Sequence, residues 1–285
     1  MHLRATASRA ATLLAKNPSL FCRIVLAKLN TARPLPTLPA RKRIRDVVFE
    51  YDLPGYRGTA SMYFGSYALP VVHAMEGILR PGDTFFDVGA NIGYLSAVGA
   101  GLVGPKGQVH SFEPVPMYHT RLRRLVEMNP DYRINANCCA VGETPGTAKI
   151  YVTREAGQNT MVTGYKTAAE IVSTADVTVV RLDSYIGKRS LSRVALIKID
   201  AEGFELPILR GLSGYWESTG HRPAILCEIA PRAYPLMERN LGDLADYMSQ
   251  FGYTARDLID ASATVNLKAM RNVEDVLFLA TSEAQ

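Results

Sequence analysis

The sequence predicts an α/β fold: a doubly wound, mainly parallel sheet preceded by a basic N-terminal helical arm. Three observations lead there. Short apolar runs of strand length alternate with helical runs through most of the chain. One of them, Phe85-Phe86-Asp87-Val88, passes through Gly89-Ala90-Asn91-Ile92-Gly93 into a helical run with Tyr94, Leu95, Val98 and Leu102: a strand, a glycine turn and a helix start. Several runs end in an acid (Asp87, Glu113, Asp200, Glu228), and open α/β sheets bind ligands outside the carboxyl ends of their strands.

The 285 residues are enough for one or two domains, and the apolar content of 47% is that of a globular protein. The net charge of +5 is unevenly spread. Residues 1–45 hold ten Lys or Arg and no acid, so residues 46–285 hold 22 basic and 27 acidic residues. The chain therefore divides into a basic arm with a Pro-containing linker (1–45) and a mildly acidic domain (46–285), which is not the balance of a nucleic-acid groove. In the arm, Ser19 is placed to cap a short helix with Leu20, Phe21, Ile24, Val25 and Leu29 on or near one face. The arm is too short and too charged to span a membrane and has no secretory h-region. It can pack on the domain, lie on anionic lipid as a peripheral contact, or serve as a transit peptide. Thr31 to Arg45, with Pro34, Pro36 and Pro39, reads as a linker. The four cysteines form no C-x-x-C pair, so neither a zinc site nor a disulfide framework is expected. Buried free thiols in a reducing, cytoplasmic setting are expected.

Element by element, Val47 to Tyr51 reads as a strand, Tyr56 to Tyr67 as an aromatic stretch broken by glycines, and Val71 to Leu79 as a helix ended by Arg80-Pro81-Gly82. After the glycine turn come a strand at Val109 to Phe112 ending in Glu113-Pro114, and a third strand at Ile134 to Val141. Residues 145–182 break the rhythm. Two β-like runs, Thr147 to Val152 and Val177 to Leu182, flank a polar stretch with Gln158-Asn159-Thr160, a natural place for substrate contacts. Val194 to Ile199 is a buried strand with Asp200, Glu202 and Glu205 at its carboxyl end. The helical run Leu206 to Gly211, strands at Ala224 to Glu228 and Tyr253 to Leu258, a helix at Leu241 to Phe251 and a last strand at Val276 to Ala280 complete the pattern.

The glycine turn limits the ligand. A dinucleotide turn is G-x-G-x-x-G. Here the order is Asp-x-Gly-x-x-x-Gly, and the carboxylate of Asp87 repels a pyrophosphate but suits an ammonium. Gly89 can take positive φ, and the helix start offers unpaired N–H groups. S-adenosylmethionine (SAM) carries an ammonium, a sulfonium and a nucleoside, and Glu113, 24 residues after Gly89, is placed to accept from ribose hydroxyls.

Three blocks then fall into line: Phe86 to Gly93, Phe112-Glu113-Pro114, and Lys198-Ile199-Asp200-Ala201-Glu202-Gly203-Phe204-Glu205 with Leu209-Arg210-Gly211. Together they resemble the FkbM family of SAM-dependent methyltransferases, over about residue 70 to the C-terminus. The resemblance implies a class I, Rossmann-like methyltransferase fold of seven strands with the last antiparallel. It also implies O-methylation of a hydroxyl on a small molecule or glycan, such as a sugar, a polyketide or a lipid-linked glycan. Carried over by position, Asp87, Gly89, Ala90, Asn91 and Gly93 would hold the methionine end of SAM, Glu113 with Pro114 the ribose, and Cys139 and Ala140 would flank the adenine.

The chemistry points to the remaining residues. A methyl group passes in line from sulfonium to oxygen, so the protein positions the acceptor, and a general base helps an aliphatic hydroxyl react. Asp200 and Glu202 fit that task best, and Lys198, two residues before Asp200 on a strand, shares its face and can fix its position. Asp200, Glu202 and Glu228 could also hold a divalent cation, which nothing else indicates. Nucleic-acid methylation is disfavoured by the absence of an Asn-Pro-Pro-Tyr motif and a Pro-Cys nucleophile. The competing reading from another class is a SAM-binding scaffold without turnover, recruited to a membrane by the arm.

Overall fold

The computed structural model describes residues 11–30, 37, 39–51, 58–155 and 157–281. Expectations that fall on residues 1–10, most of 31–38, and Tyr56 lie outside them. Among the described residues the central sheet has seven strands: β3 (Thr84–Val88), β4 (Gln108–Phe112), β5 (Arg133–Asn137), β9 (Leu196–Ile199), β10 (Ala224–Ile229), β11 (Tyr253–Asp257) and β12 (Glu274–Ala280). Their order across the sheet is β11-β12-β10-β9-β3-β4-β5. All run parallel except β12, which pairs antiparallel with both β10 and β11. Parallel neighbours need a crossover, which helices supply up to β11; β12 returns from β11 through a loop with one short 3₁₀ turn and so enters the gap reversed. The expected fold, a class I methyltransferase sheet with the last strand antiparallel, is the fold observed.

Side-chain alternation along the strands builds two cores. Phe85, Val109, Leu196, Leu226 and Leu277 face one helix layer, while Phe86, Phe112, Ile197, Ile225 and Phe278 face the other. The first layer holds α3 (Leu69–Ile78), α4 (Tyr94–Val103) and α5 (Pro116–Met128). The second holds α6 (Leu182–Lys188), α7 (Glu205–Arg210), α8 (Ser213–Thr219) and α9 (Leu241–Gln250). Strand β9 is buried at all four positions although one of them is Lys198, so that ammonium must be satisfied inside the protein.

Four local expectations change. The third strand divides: β5 ends at Asn137, and β6 (Ala140–Val141) leaves the sheet to pair with β8 (Ile171–Val180), itself paired with β7 (Gly146–Thr153). The divide falls at Cys138 and Cys139. Cys138 and Cys22 are exposed, so only Cys227 is a fully buried thiol. The linker ends early, because β1 (Ala40–Ile44) already forms a hairpin with β2 (Val47–Tyr51). Lastly, α1 (Pro18–Asn30) is capped not by Ser19 but by Asn17, whose side-chain oxygen accepts from Leu20 N at 3.1 Å, with Pro18 at the first helical position. The short α2 (Thr59–Tyr63) precedes α3.

Candidate active site

A cleft of about 900 Å³, counting space open to solvent, lies over the carboxyl ends of β3, β4 and β9. Its floor is the glycine turn. Gly89 has φ of 76°, and Gly89 N and Ala90 N both donate to the Phe112 carbonyl at 3.0 Å, tying the turn to β4. A Cβ at Gly89 would collide with the backbone carbonyl oxygen of Asp200. Glycine is thus required by the chain crossing from β9, a reason the sequence pattern does not reveal. Beyond the turn, α4 starts at Gly93 with no side-chain cap, so its positive end opens toward the cleft wall formed by Asn91, Ile92 and Tyr94.

Glu113 follows β4 and is buried, yet it lines the cleft. Its Oε2 accepts from Asn91 N at 2.9 Å and its Oε1 from Val115 N at 2.8 Å. Burial pushes its pKa up to about 7, against the pull of those two N–H groups. Each carboxyl oxygen keeps a second lone pair for a hydroxyl donor. Cys139, Ala140 and Val141 form the wall beside it, and burial raises the Cys139 thiol to about 11, so it stays a neutral neighbour.

At the other end stands Lys198. Its Nζ lies 3.2 Å from Asp200 Oδ2, 3.6 Å from Asp87 Oδ1 and 3.4 Å from the Gly89 carbonyl. Burial alone would lower its pKa; the carboxylates of Asp200 and Asp87 outweigh that and hold it above the ordinary lysine value. For Asp87, burial favours the neutral acid, while Lys198 and the Ser96 hydroxyl at 2.6 Å favour the ionised one. With two acids around one ammonium, the group that stays charged is Lys198. Asp200 is 31% exposed and faces the cleft.

Behind Asp200 the carboxylates of Asp200, Glu202 and Glu228 come within 4.8 Å of one another. Glu202 is held by Lys166 at 3.1 Å. Asp200 first, then burial and Asp275, push Glu228 up to about 9, so at neutral pH it carries a proton. The oxygen donors would suit a divalent cation; in the chain itself Glu202 faces Lys166, Asp200 shares Lys198 with Asp87, and Glu228 carries its own proton.

A family model described as the methyltransferase FkbM domain matches residues 87–255, more than half the chain and every strand that frames this cleft. The chain belongs to the FkbM methyltransferase family. Methyltransferase 1 of Beauveria bassiana is 27% identical over 166 residues, covering 52% of this chain and 66% of that protein. The 31-O-demethyl-FK506 methyltransferase FkbM of Streptomyces tacrolimicus is 31% identical over 170 residues, covering 49% and 62%. The chain thus spans just under two thirds of the length of these curated relatives. A crystal structure of Methyltransferase FkbM from Methylobacillus flagellatus KT is similar at 16% identity and a TM-score of 0.43, covering 92% of this chain and 60% of that one. Aeropyrum pernix fibrillarin, solved with bound SAM, is similar at 13% identity and a TM-score of 0.38, covering 87% and 86%. Likeness at this level concerns the fold alone.

Within this FkbM domain the predicted site residues separate. Gly89, Ala90, Asn91, Glu113, Pro114, Cys139, Ala140, Lys198 and Asp200 line one cleft. Three do not. Asp87 is fully buried beneath the floor, reaching the cleft only through Lys198, because Phe86 and Val88 take the opposite face of β3. Gly93 lies outside because it admits Leu122 of α5, whose Cδ1 would stand 2.8 Å from a Cβ there. Glu202 is turned to Lys166, its backbone in the left-handed region at φ 49°. His73 of α3 faces away from the cleft, meeting Asn17 and Glu76.

The structure adds residues that the sequence pattern does not single out. Tyr67 closes the cleft opposite Asp200; burial and then the Asp200 carboxylate raise its pKa, so its hydroxyl keeps its proton. Its signal was membership of the aromatic stretch before the first sheet strand. The polar insertion, where the sequence already suggested substrate contacts at Gln158-Asn159-Thr160, lines the cleft through Asn159, joined by Met161, and docks where Thr160 Oγ1 donates to the Glu202 carbonyl at 2.8 Å.

Proposed function

We propose that this methyltransferase uses SAM to methylate a hydroxyl of a small molecule or glycan, with Asp200 as the base that takes the hydroxyl proton. The observation that carries the reading is Asp200 itself: a cleft-facing carboxylate fixed by Lys198, in one cleft with the buried acceptor Glu113 and the open start of α4. The residues suit SAM part by part. Glu113 offers two lone pairs to the ribose diol, the α4 terminus suits the methionine carboxylate, and the wall at Cys139 to Val141 suits the adenine.

SAM brings an activated methyl group, so the chain needs only to orient the acceptor oxygen, keep water out and take a proton. Tyr67 stands beside Asp200, where its hydroxyl can orient that of an acceptor. An oxygen acceptor is favoured by a base that is a carboxylate, and the Streptomyces tacrolimicus relative is named for a 31-O-demethyl substrate. The test is twofold. Isothermal titration should give binding of SAM and S-adenosylhomocysteine and none of NAD. Mass spectrometry should then find a methyl ether among a broad panel of hydroxylated sugars and polyketides. SAM bound with no methylated product refutes turnover, and methylation confined to nitrogen or carbon refutes the oxygen acceptor.

A further inference from the structure

We propose that the outward face of α1 is a docking surface for an anionic lipid bilayer. The helix is fixed in orientation. Leu20 and Ala27 are buried against Leu69 of α3, Arg23 makes two bonds to Glu76 at 2.7 and 3.2 Å, and Lys16 pairs with Asp260 at 3.1 Å. The opposite face then has to point to solvent. It presents Cys22, Val25, Leu26 and Leu29, spaced i, i+3, i+4 and i+7, so they form one stripe. Val25 is 41% exposed, Leu26 62% and Leu29 67%. Four of the eight large apolar residues exposed among the described residues fall between Leu14 and Leu29, so this is a patch and not scatter.

Charge decides what covers it. Residues 1–45 carry ten basic residues and no acid, opposite in sign to the rest of the chain. A symmetric contact between two copies would set base against base. A bilayer bearing anionic headgroups suits both features at once: the stripe enters the acyl boundary, and the positive net charge of the N-terminal 45 residues draws this end of the chain to the headgroups. The short apolar depth of one stripe is that of a helix lying in the interface, and among the described residues no helix is long and apolar enough to cross a membrane.

The test uses the full chain and needs no acceptor, so it stands or falls apart from the methyl-transfer reading. Sedimentation with phosphatidylcholine vesicles is compared with vesicles that also contain phosphatidylglycerol, for wild type and the double variant L26E/L29E. Neither residue packs on the body, and SAM titration with a thermal melt checks that the variant folds. The expected result is binding to the phosphatidylglycerol vesicles, weakened by salt and weakened roughly tenfold or more by the double variant. The proposal is overturned if the chain ignores anionic vesicles, binds neutral ones equally, or is unaffected by L26E/L29E. It is equally overturned if sedimentation velocity shows the stripe buried in self-association that the variant abolishes.

Discussion

Replacing Asp200 by Asn tests the centre of the proposed chemistry. The amide keeps the size of the side chain and leaves the backbone bond from Asp200 N to the Val88 carbonyl, 3.0 Å, untouched. It removes one carboxylate from Lys198, which still has Asp87 at 3.6 Å and the Gly89 carbonyl at 3.4 Å. The site therefore survives without its base. A positioned general base contributes about 10²- to 10⁴-fold, or roughly 3–5 kcal/mol of barrier. The carboxylate's effect on SAM binding is smaller: it is 31% exposed and screened, so affinity changes by about 1 kcal/mol or less. Glu202→Gln is the internal control, since Glu202 is held away by Lys166. Turnover is read by product mass spectrometry at saturating SAM, and SAM affinity by titration. D200N should lose turnover by two orders of magnitude or more while still binding SAM, and E202Q should stay within about threefold of wild type. If D200N turns over at the wild-type rate, or E202Q falls as far, the base is elsewhere.

Three further outcomes follow from the same geometry. Glu113→Gln sets an NH₂ against a backbone N–H that now donates at 2.8 or 2.9 Å, so SAM affinity should fall by about 1.5–3 kcal/mol; an unchanged titration contradicts the ribose role. Gly89→Ala forces a Cβ onto the Asp200 carbonyl at positive φ and should destabilise by roughly 3 kcal/mol or more. Gly220→Ala, left-handed at φ 68° but with nothing within 4 Å, should lose only about 1 kcal/mol in the same thermal melts. Burial lifts Glu205 from 4.5 to about 8, with Glu113 and Glu228 also raised. Between those values the folded protein holds protons that the unfolded chain has released, so stability should fall as pH rises from about 5 to 8 and recover on acidification. Glu205→Gln removes one such proton and should flatten the profile; a melt rising with pH refutes the assignment.

The parts of the site that could be read from the sequence are those written in consecutive residues. Strand, glycine turn and helix start are adjacent between Phe85 and Leu102, and the acids just after β4 and β9 and near the end of β10 are visible because an apolar run reaches each. What could not be read depends on register between distant strands. Asp87 lies directly opposite Lys198 in the β3–β9 pairing, which turns an expected ligand contact into a buried ion pair. Glu228 lies opposite Asp275 and beside Asp200, so its retained proton has no trace in any local pattern. The same holds for the third strand: no glycine or proline interrupts Ile134 to Val141, but Ala140 and Val141 pair with Val179 and Val180 of β8. At α1 the pattern placed the helix correctly and its cap wrongly: Asn17 Oδ1 accepts from Leu20 N, and the Ser19 hydroxyl donates to that same oxygen.

The charges around Asp200 also bear on why a carboxylate base works here. Lys198 is shared by Asp87 and Asp200, Lys166 balances Glu202, and Glu228 is neutral. With Glu228 neutral, three carboxyl groups face two ammonium groups. A bound SAM would supply a sulfonium-activated methyl group and Asp200 would take the hydroxyl proton, so a positive charge on the donor and a negative charge on the base would be lost together. In a cleft whose walls are largely buried, two opposite charges held apart are stabilised less than in water, and their mutual loss lowers the barrier. Lys198 contributes by keeping its charge: were it neutral, Asp87 and Asp200 would lose the one ammonium they share. Lys198→Met should therefore destabilise the fold by about 3–5 kcal/mol, the scale for leaving a buried carboxylate without its partner. A variant that folds at wild-type stability would mean that the Asp87–Lys198–Asp200 group is not the charged unit that its distances describe.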